Sequence, residues 1–387
     1  MIIGIPKEIM QGEKRVSAIP DTVRKMVQDG LKVLVEKGAG AASHYFDEDY
    51  LAAGAEIVAN PEGIYKQADV ILKVKEPQFN HTKNRHEIEM MHTGQYLITF
   101  LHPAAPANHD MVKELAKKGV IGLTLDSVPR ISRAQTMDAL SSMSTCAGYK
   151  GMLMAANNIS RFMPMIGSAV GMIKPANVLV IGAGVAGLRA IATAKGLGAI
   201  VHAVDIRPEA CEQAKSLGAK VIELGIPEEI ALSSDRKFAK DLPNFWLKKE
   251  REVLKEYVQK ADIILASALV PGKVAPIIIT EEMVKSMQPG SCIVDISIDQ
   301  GGNCELTVPG EKTEQYGVII EGIKNIPGMI PNASTWMFAN NIYNLLKFLM
   351  KDGEIQLDLN DEITSSILVT KDGEIIHAGT KEAMSLF

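Results

Sequence analysis

Short runs of Val, Ile and Leu alternate with helical segments along the first third of the chain. Residues 2–6, 31–36, 70–75, 96–101 and 120–124 read as strands. Between them, residues 21–29 read as a helix with Pro20 ahead of it and Gly30 as its stop. Residues 111–118 read as a second helix, ended by Gly119. This alternation implies a mainly parallel sheet covered by helices. Past Pro129 the pattern changes. Residues 137 to about 158 read as one long helix. Residues 165–173 are apolar but broken by Gly167 and Gly171, more like a hairpin or arm than a helix. A second strand series begins at Asn177, with runs at 178–181, 200–206, 263–266, 293–296 and 318–321. Residues 333–350 read as a helix, and 355–359 and 367–376 as strands, the latter turning at Lys371-Asp372-Gly373.

The expected fold is α/β, with two Rossmann-like parallel-sheet domains and the second inserted into the first. Residues 1–136 and 330–387 form the discontinuous N-terminal domain. Residues 137–329 hold a linker helix, the apolar arm and the second sheet. Long helices join the two, and a cleft between them is the expected place for a cofactor. Residues 227–246 are polar and aperiodic, as in a long loop. Residues 247–260 mix Lys, Arg and Glu on an amphipathic helix and read as a solvated face.

Composition narrows the class. At 387 residues the chain exceeds one core of ~150 residues, and 47% hydrophobic with 22% charged residues excludes a wholly disordered chain. A net charge of −5 argues against a nucleic-acid binder. No apolar run reaches ~18 residues, because Asn157, Asn158 and Arg161 interrupt the longest stretch, so no membrane span is expected. Lys7 and Glu8 break the N-terminus before a signal-peptide core could form, and a soluble cytosolic chain is expected. Cys146, Cys211, Cys292 and Cys304 form no C-x-x-C pair, which opposes a disulfide framework or a structural zinc site. His81, His86 and His92 lie in a polar stretch and read as solvated loop residues, with no metal expected.

The clearest chemical signal is Gly182-Ala-Gly184-Val185-Ala-Gly187, a G-x-G-x-x-G directly after a strand and before a helix. Gly182 permits the tight turn, Gly184 close approach of a pyrophosphate, and Gly187 close packing of helix on strand. Asp205 ends the next strand, 23 residues beyond Gly182, about where an acid binds the adenosine ribose hydroxyls. A carboxylate there repels a 2′-phosphate, so NAD is favoured over NADP, with Arg207 beside it as a countervailing charge. No second fingerprint is found. Between the first sheet and the long helix, Ser132-x-x-Gln135 reads as a capping box, and Asp138 suits the start of a helix dipole.

The segment Pro129-Arg130-Ile-Ser-Arg133-Ala-Gln135-Thr-Met-Asp138-Ala-Leu-Ser141-Ser142 resembles the one that defines the soluble NAD(H)-binding domain I of proton-translocating NAD(P) transhydrogenase. The resemblance spans essentially the whole chain: Ile5-Pro-Lys-Glu8 with Arg15-Val16, the fingerprint, Ala268-Leu269-Val-Pro-Gly-Lys273 and Gly301-Gly-Asn-Cys-Glu305. The length is similar to that of the separate alpha-1 subunit. The resemblance implies that Arg130, Gln135 and Asp138 hold the nicotinamide, with Ser141 near the ring. Val185, Arg207 and Leu269 then join the glycines and Asp205 as NAD(H) contacts. Phe238 stands where the family's mobile loop usually carries Tyr. Also implied are a homodimer paired through residues 163–173, NADP(H) on a partner beta subunit, and a membrane alpha-2 subunit. Hydride would pass from NADH to NADP, driven by proton flow, with the chain docked through its partners on the cytoplasmic face of the inner membrane.

Alanine dehydrogenase shares this fold, and its active-site Arg, Lys, His and Asp match Arg15, Lys75, His102 and Asp299 by position. Lys75, His102 and Asp299 follow predicted strands, where α/β sites gather. NAD-dependent alanine dehydrogenase is therefore the alternative, and a non-catalytic NAD-sensing module a third.

Overall fold

The computed structural model describes residues 1–232, 240, 242–270 and 274–385. Contacts within the chain divide it into two compact units, Met1–Met143 with Gly328–Phe387, and Ser144–Pro327.

The first unit is built on an eight-stranded sheet. Its spatial order is Glu374–Ile375, Leu368–Lys371, Ile121–Thr124, Tyr96–Thr99, Val70–Leu72, Ile2–Ile5, Lys32–Glu36 and Glu56–Val58. The six strands from the N-terminal stretch of the chain pair in parallel. The C-terminal hairpin closes one edge antiparallel, Leu368 opposite Leu123. Val70–Leu72 is wholly buried, which explains its unbroken apolar sequence: a parallel strand covered on both faces has no polar side to show. Helices such as Pro20–Gln28, Pro61–Gln67 and His109–Lys118 complete the layers. Under the sheet's C-terminal edge, Lys73 is fully buried and its Nζ donates to Glu87 at 2.9 Å and Glu8 at 3.2 Å. Glu8 also accepts from the Val74 amide, at 2.6 Å, so this ion triad anchors the backbone leading to Lys75. Burial lifts the Glu8 carboxyl above its ordinary range despite the Lys73 charge.

The second unit has a seven-stranded sheet, ordered Lys220–Val221, Ile200–Val204, Asn177–Ile181, Ile263–Ala266, Cys292–Asp295, Val318–Glu321 and Lys312–Gln315. All its pairings are parallel except the last. The chain leaves Asn177–Ile181 first to one side and later to the other, so the strand order reverses there, the place where doubly wound sheets open a crevice. The apolar arm forms a separate antiparallel hairpin, Ile166–Ser168 with Gly171–Ile173. Its side chains stand in solvent, Val170 at 99% and Met172 at 71% exposure.

Several local expectations need correction. The long helix spans Ala139–Asn158 and follows a 3-10 turn, Ser132–Met137, so it does not begin at Met137. Residues 355–359 are not a strand; two-residue strands, Met350–Lys351 and Glu354–Ile355, make a small hairpin instead. The helix Asn244–Lys260 keeps a solvated face, with Lys248, Glu252, Lys255, Glu256 and Lys260 exposed, but Glu250 does not belong to it: it is buried with Leu254 and Val258 at four-residue spacing. Residues 227–246 are not wholly loop: Glu228–Ala231 is a short helix. His86 is half-buried at the N-cap of Glu87–Met90, accepting from the Ile88 amide at 3.2 Å. Among the described residues, no helix is long and apolar enough to cross a membrane.

Candidate functional site

At the reversal point of the second sheet, Asn177–Ile181 runs into Gly182, and Gly184 caps the helix Val185–Gly196. Gly182 has φ +86°, and a Cβ there would lie 2.8 Å from the Ala268 nitrogen. At Gly187 a Cβ would sit 1.9 Å from the Gly182 carbonyl oxygen, so helix and turn touch backbone to backbone. Gly184 is different. A Cβ there would meet only Arg207 Nη2, at 3.8 Å, and the space over the first turn of the helix is open. A helix N-terminus facing open space, with amides still to satisfy, suits a phosphate group.

Asp205 lies at the end of the neighbouring strand, Ile200–Val204, with its side chain only 7% exposed. Its Oδ2 accepts from the Ala183 amide at 2.8 Å and from Arg207 Nη2 at 2.9 Å. Its Oδ1 accepts from the Arg207 amide at 2.9 Å and Arg207 Nε at 3.0 Å. A carboxylate has about four lone-pair directions, and all are engaged here. A further donor could therefore reach this carboxylate only with the Arg207 guanidinium moved aside.

Asn303, in the Gly-Gly-Asn-Cys-Glu run, has a role that the sequence does not reveal. Its Oδ1 accepts from the Ala268 amide at 2.9 Å, while Nδ2 donates to the carbonyls of Ala268 and Pro276, both at 2.9 Å. It thus pins both the N–H and the C=O of Ala268, beside half-exposed Leu269. Its sequence signal is an Asn set among glycines after a strand. Residues 271–273, the end of that motif, and Phe238 lie outside the described residues.

In the first unit, the segment from Arg130 to Ser141 presents Arg130 and Gln135 exposed, with Ala134 and Met137 buried beneath. The capping box predicted at Ser132 and Gln135 is absent: Ile131 takes the N-cap position and makes no side-chain cap. Asp138 does the capping instead. Its Oδ1 accepts from the Ser141 amide at 2.8 Å and its Oδ2 from the Ser141 hydroxyl at 2.6 Å. Asp138 and Ser141 thus hold each other, leaving Arg130 and Gln135 as the outward-facing members of the set.

The residues matched to alanine dehydrogenase divide between the units. Arg15 is buried and bidentate on Glu13, with Nε at 2.8 Å from Oε1 and Nη2 at 2.6 Å from Oε2. Burial would push the Glu13 carboxyl up, but Arg15 overrides it and takes it down to about 2. His102, at φ +45°, stacks on Phe100 and contacts Asp126 through Nδ1 at 2.7 Å. Burial opposes its charged form, and the Asp126 carboxylate outweighs it, raising the imidazole pKa. Lys75 is near enough for its charge to act on both Glu13 and His102. These three positions form one polar cluster, whose Glu13 and Asp126 partners no sequence motif singles out. Asp299 belongs to the second unit, exposed in the short turn Ile298–Gln300.

Comparison with known proteins bears on the whole chain. Residues 4–147 match the model described as alanine dehydrogenase/PNT, N-terminal domain, and residues 151–378 match that of the C-terminal domain. The first of the parts that make up NAD(P) transhydrogenase subunit alpha in Rhodospirillum rubrum is 42% identical over 97% of this chain and 98% of its own. Alanine dehydrogenase of Methanococcus maripaludis is 33% identical over 100% and 97%. The crystal structure of transhydrogenase from Sinorhizobium meliloti superposes with a TM-score of 0.83 at 35% identity, covering 98% of this chain and 99% of that one. The chain belongs to the alanine dehydrogenase/PNT family of oxidoreductases, and within it resembles the NAD(P) transhydrogenase alpha subunit along nearly its full length.

Proposed function

We propose that this chain is the NAD(H)-binding component of a proton-translocating NAD(P) transhydrogenase, passing hydride from NADH directly to NADP+ on a partner subunit. The observation that carries this reading is the match over 98% of a relative that is itself the first portion of a divided transhydrogenase alpha subunit. The open space at Gly184 and the exposed pair Arg130 and Gln135 support it.

Bound NADH supplies the hydride. The protein's task is to hold and orient. Gly182 and Gly187 fix the turn, and the first amides of Val185–Gly196 face the pyrophosphate. Asp205 takes the ribose hydroxyls once Arg207 swings off it, and its charge turns away a 2′-phosphate. Val185 and Leu269 line the nucleotide. Arg130 and Gln135 orient the carboxamide, and the Asp138–Ser141 cap keeps their segment rigid. Direct transfer needs no protein acid or base, only rings held at ~3–3.5 Å without intervening water. The exposed arm Ile166–Ile173 pairs with a second copy to cover its apolar side chains. A beta subunit brings NADP(H), and a membrane alpha-2 subunit couples transfer to proton flow and places the chain at the cytoplasmic face of the inner membrane.

The test is cyclic exchange between NADH and an NAD analogue in the presence of an NADP-binding partner domain, alongside NAD with L-alanine. Exchange that depends on the partner is expected. Robust NADH formation from alanine would overturn the reading in favour of the dehydrogenase. Two variants refine it. Gln135→Asn withdraws the amide by one methylene and is expected to slow transfer about tenfold while NADH affinity stays within about twofold. Asp205→Asn is expected to weaken NADH binding about tenfold and to narrow the preference over NADPH, measured by fluorescence titration of both. An unchanged NADH-to-NADPH affinity ratio would contradict the role given to Asp205.

A further inference from the structure

The helix Pro331–Leu349 carries Asn341 and Asn344 close to one turn apart. Both side-chain amides donate to a single acceptor, the Thr136 carbonyl oxygen, Asn341 at 2.9 Å and Asn344 at 3.2 Å. A carbonyl oxygen has two lone pairs, and this one spends both on the same helix. Thr136 sits at the end of the 3-10 turn Ser132–Met137, next to Gln135, where backbone carbonyls look beyond the helix for donors. A second fastening lies on the same turn. Arg133 Nη1 donates to Asp361 at 2.6 Å, and its guanidinium lies over the Phe348 ring, 5.9 Å from the centroid. Asp361 is in turn the N-cap of Glu362–Ile367.

Asn341 is 7% exposed, and its Oδ1 is buried with no hydrogen-bond partner. Such an orphan acceptor is costly, and an apolar side chain of similar size would fill the space without it. Packing therefore does not account for an amide at this position. The bond to Thr136 does.

We infer that Asn341, seconded by Asn344, is a positioning residue for hydride transfer: it fixes the Thr136 carbonyl, and with it the direction in which Arg130 and Gln135 face the nicotinamide. This rests on the nicotinamide role proposed above for that segment. Asn341 acts through the backbone and touches no nucleotide. Freeing the carbonyl loosens the turn without removing any group that binds NADH, so the expected loss falls on turnover and spares affinity.

The experiment is Asn341→Leu in the full chain, with the wild type and Asn344→Ala beside it. Three quantities are read: hydrogen exchange of the amides of residues 132–138, NADH affinity, and the rate of partner-dependent hydride exchange. Asn341→Leu is expected to keep its melting temperature, speed amide exchange in that turn about tenfold and no other segment, and hold NADH affinity within about threefold while kcat falls about tenfold. Asn344→Ala, which removes the longer bond, is expected to act in the same sense by about threefold. Unchanged amide exchange in the turn would overturn the clamp. Faster exchange with unchanged kcat would overturn its role in positioning, as would a loss confined to KM. Should the wild type itself transfer no hydride with a partner, the functional reading fails, and the amide-exchange arm still decides whether Asn341 holds the turn.

Discussion

Gly187→Ala is expected to lower NADH affinity about 100-fold or more, whereas Gly184→Ala lowers it about tenfold in a protein of unchanged stability. The two residues lie three apart in one motif and meet different obstacles. A methyl group on Gly187 would lie 1.9 Å from the Gly182 carbonyl oxygen and 2.9 Å from its carbon, with Ser267 Oγ at 3.2 Å. Backbone on both sides cannot yield as a flexible side chain can. The helix Val185–Gly196 must lift off its strand, which takes the amides that face the pyrophosphate with it and costs about 3 kcal/mol of stability. A methyl on Gly184 clashes with nothing in the protein, its nearest neighbour being Arg207 Nη2 at 3.8 Å. It fills the room the phosphates need. Calorimetry and NADH fluorescence titration of both variants check this. Wild-type affinity in Gly187→Ala would contradict the assigned packing, and wild-type affinity in Gly184→Ala would contradict the placement of the pyrophosphate.

The second large effect is on stability and follows from Glu250, 5% exposed on the inner side of Asn244–Lys260. Burial first, and then the charge of Asp205, push its carboxyl up from 4.5 to about 7. Arg251 offers only partial relief, because its guanidinium is spent on the Ile277 carbonyl. Between pH 4.5 and about 7 the unfolded chain has given up this proton and the folded one still holds it. The unfolded state then binds fewer protons, so stability falls as pH rises through that window and levels off above it. At about 1.4 kcal/mol per unit, the whole shift amounts to roughly 3 kcal/mol. Glu250→Met keeps the side-chain length without a carboxyl. It is expected to be more stable than the wild type by up to about 3 kcal/mol at pH 8, and by less than about 1 kcal/mol at pH 5. Urea unfolding at the two pH values measures this, and a gap that does not change with pH would refute it.

Much of the architecture is legible because buried parallel strands announce themselves. Residues 178–181 and 263–266 are continuous apolar runs, and both are central strands. The fingerprint is legible for a related reason: three glycines, each answering a separate steric demand, leave few other readings. Weaker signals fail where tertiary contacts decide. The helix Asn244–Lys260 reads as amphipathic, but nothing in its composition shows that Glu250 goes inside with Leu254 and Val258. At residues 355–359, alternating apolar positions suggest a strand, but a short hairpin takes up only Ile355, and residues 356–358 form no regular element. Ser132 and Asp138 both fit the local pattern of a helix start, and only the placement of the 3-10 turn gives the cap to Asp138. The partners of Asn303 and Asn341 are not legible at all. Each acts on backbone groups far away in sequence, the N–H and C=O of Ala268 and the Thr136 carbonyl, and no local pattern encodes that partner.

The central claim is that hydride passes directly from a nucleotide on this chain to one on a partner. Loading the protein with NADH deuterated at the transferring position of C4, adding an NADP+-bound partner domain, and determining the isotopic content of the NADPH by mass spectrometry tests it most directly. The account predicts near-complete deuterium transfer in ordinary water, dependent on the partner and slowed by Gln135→Asn. Unlabelled NADPH, or deuterium found at C2 of alanine in place of NADPH when pyruvate and ammonia are also supplied, would contradict it.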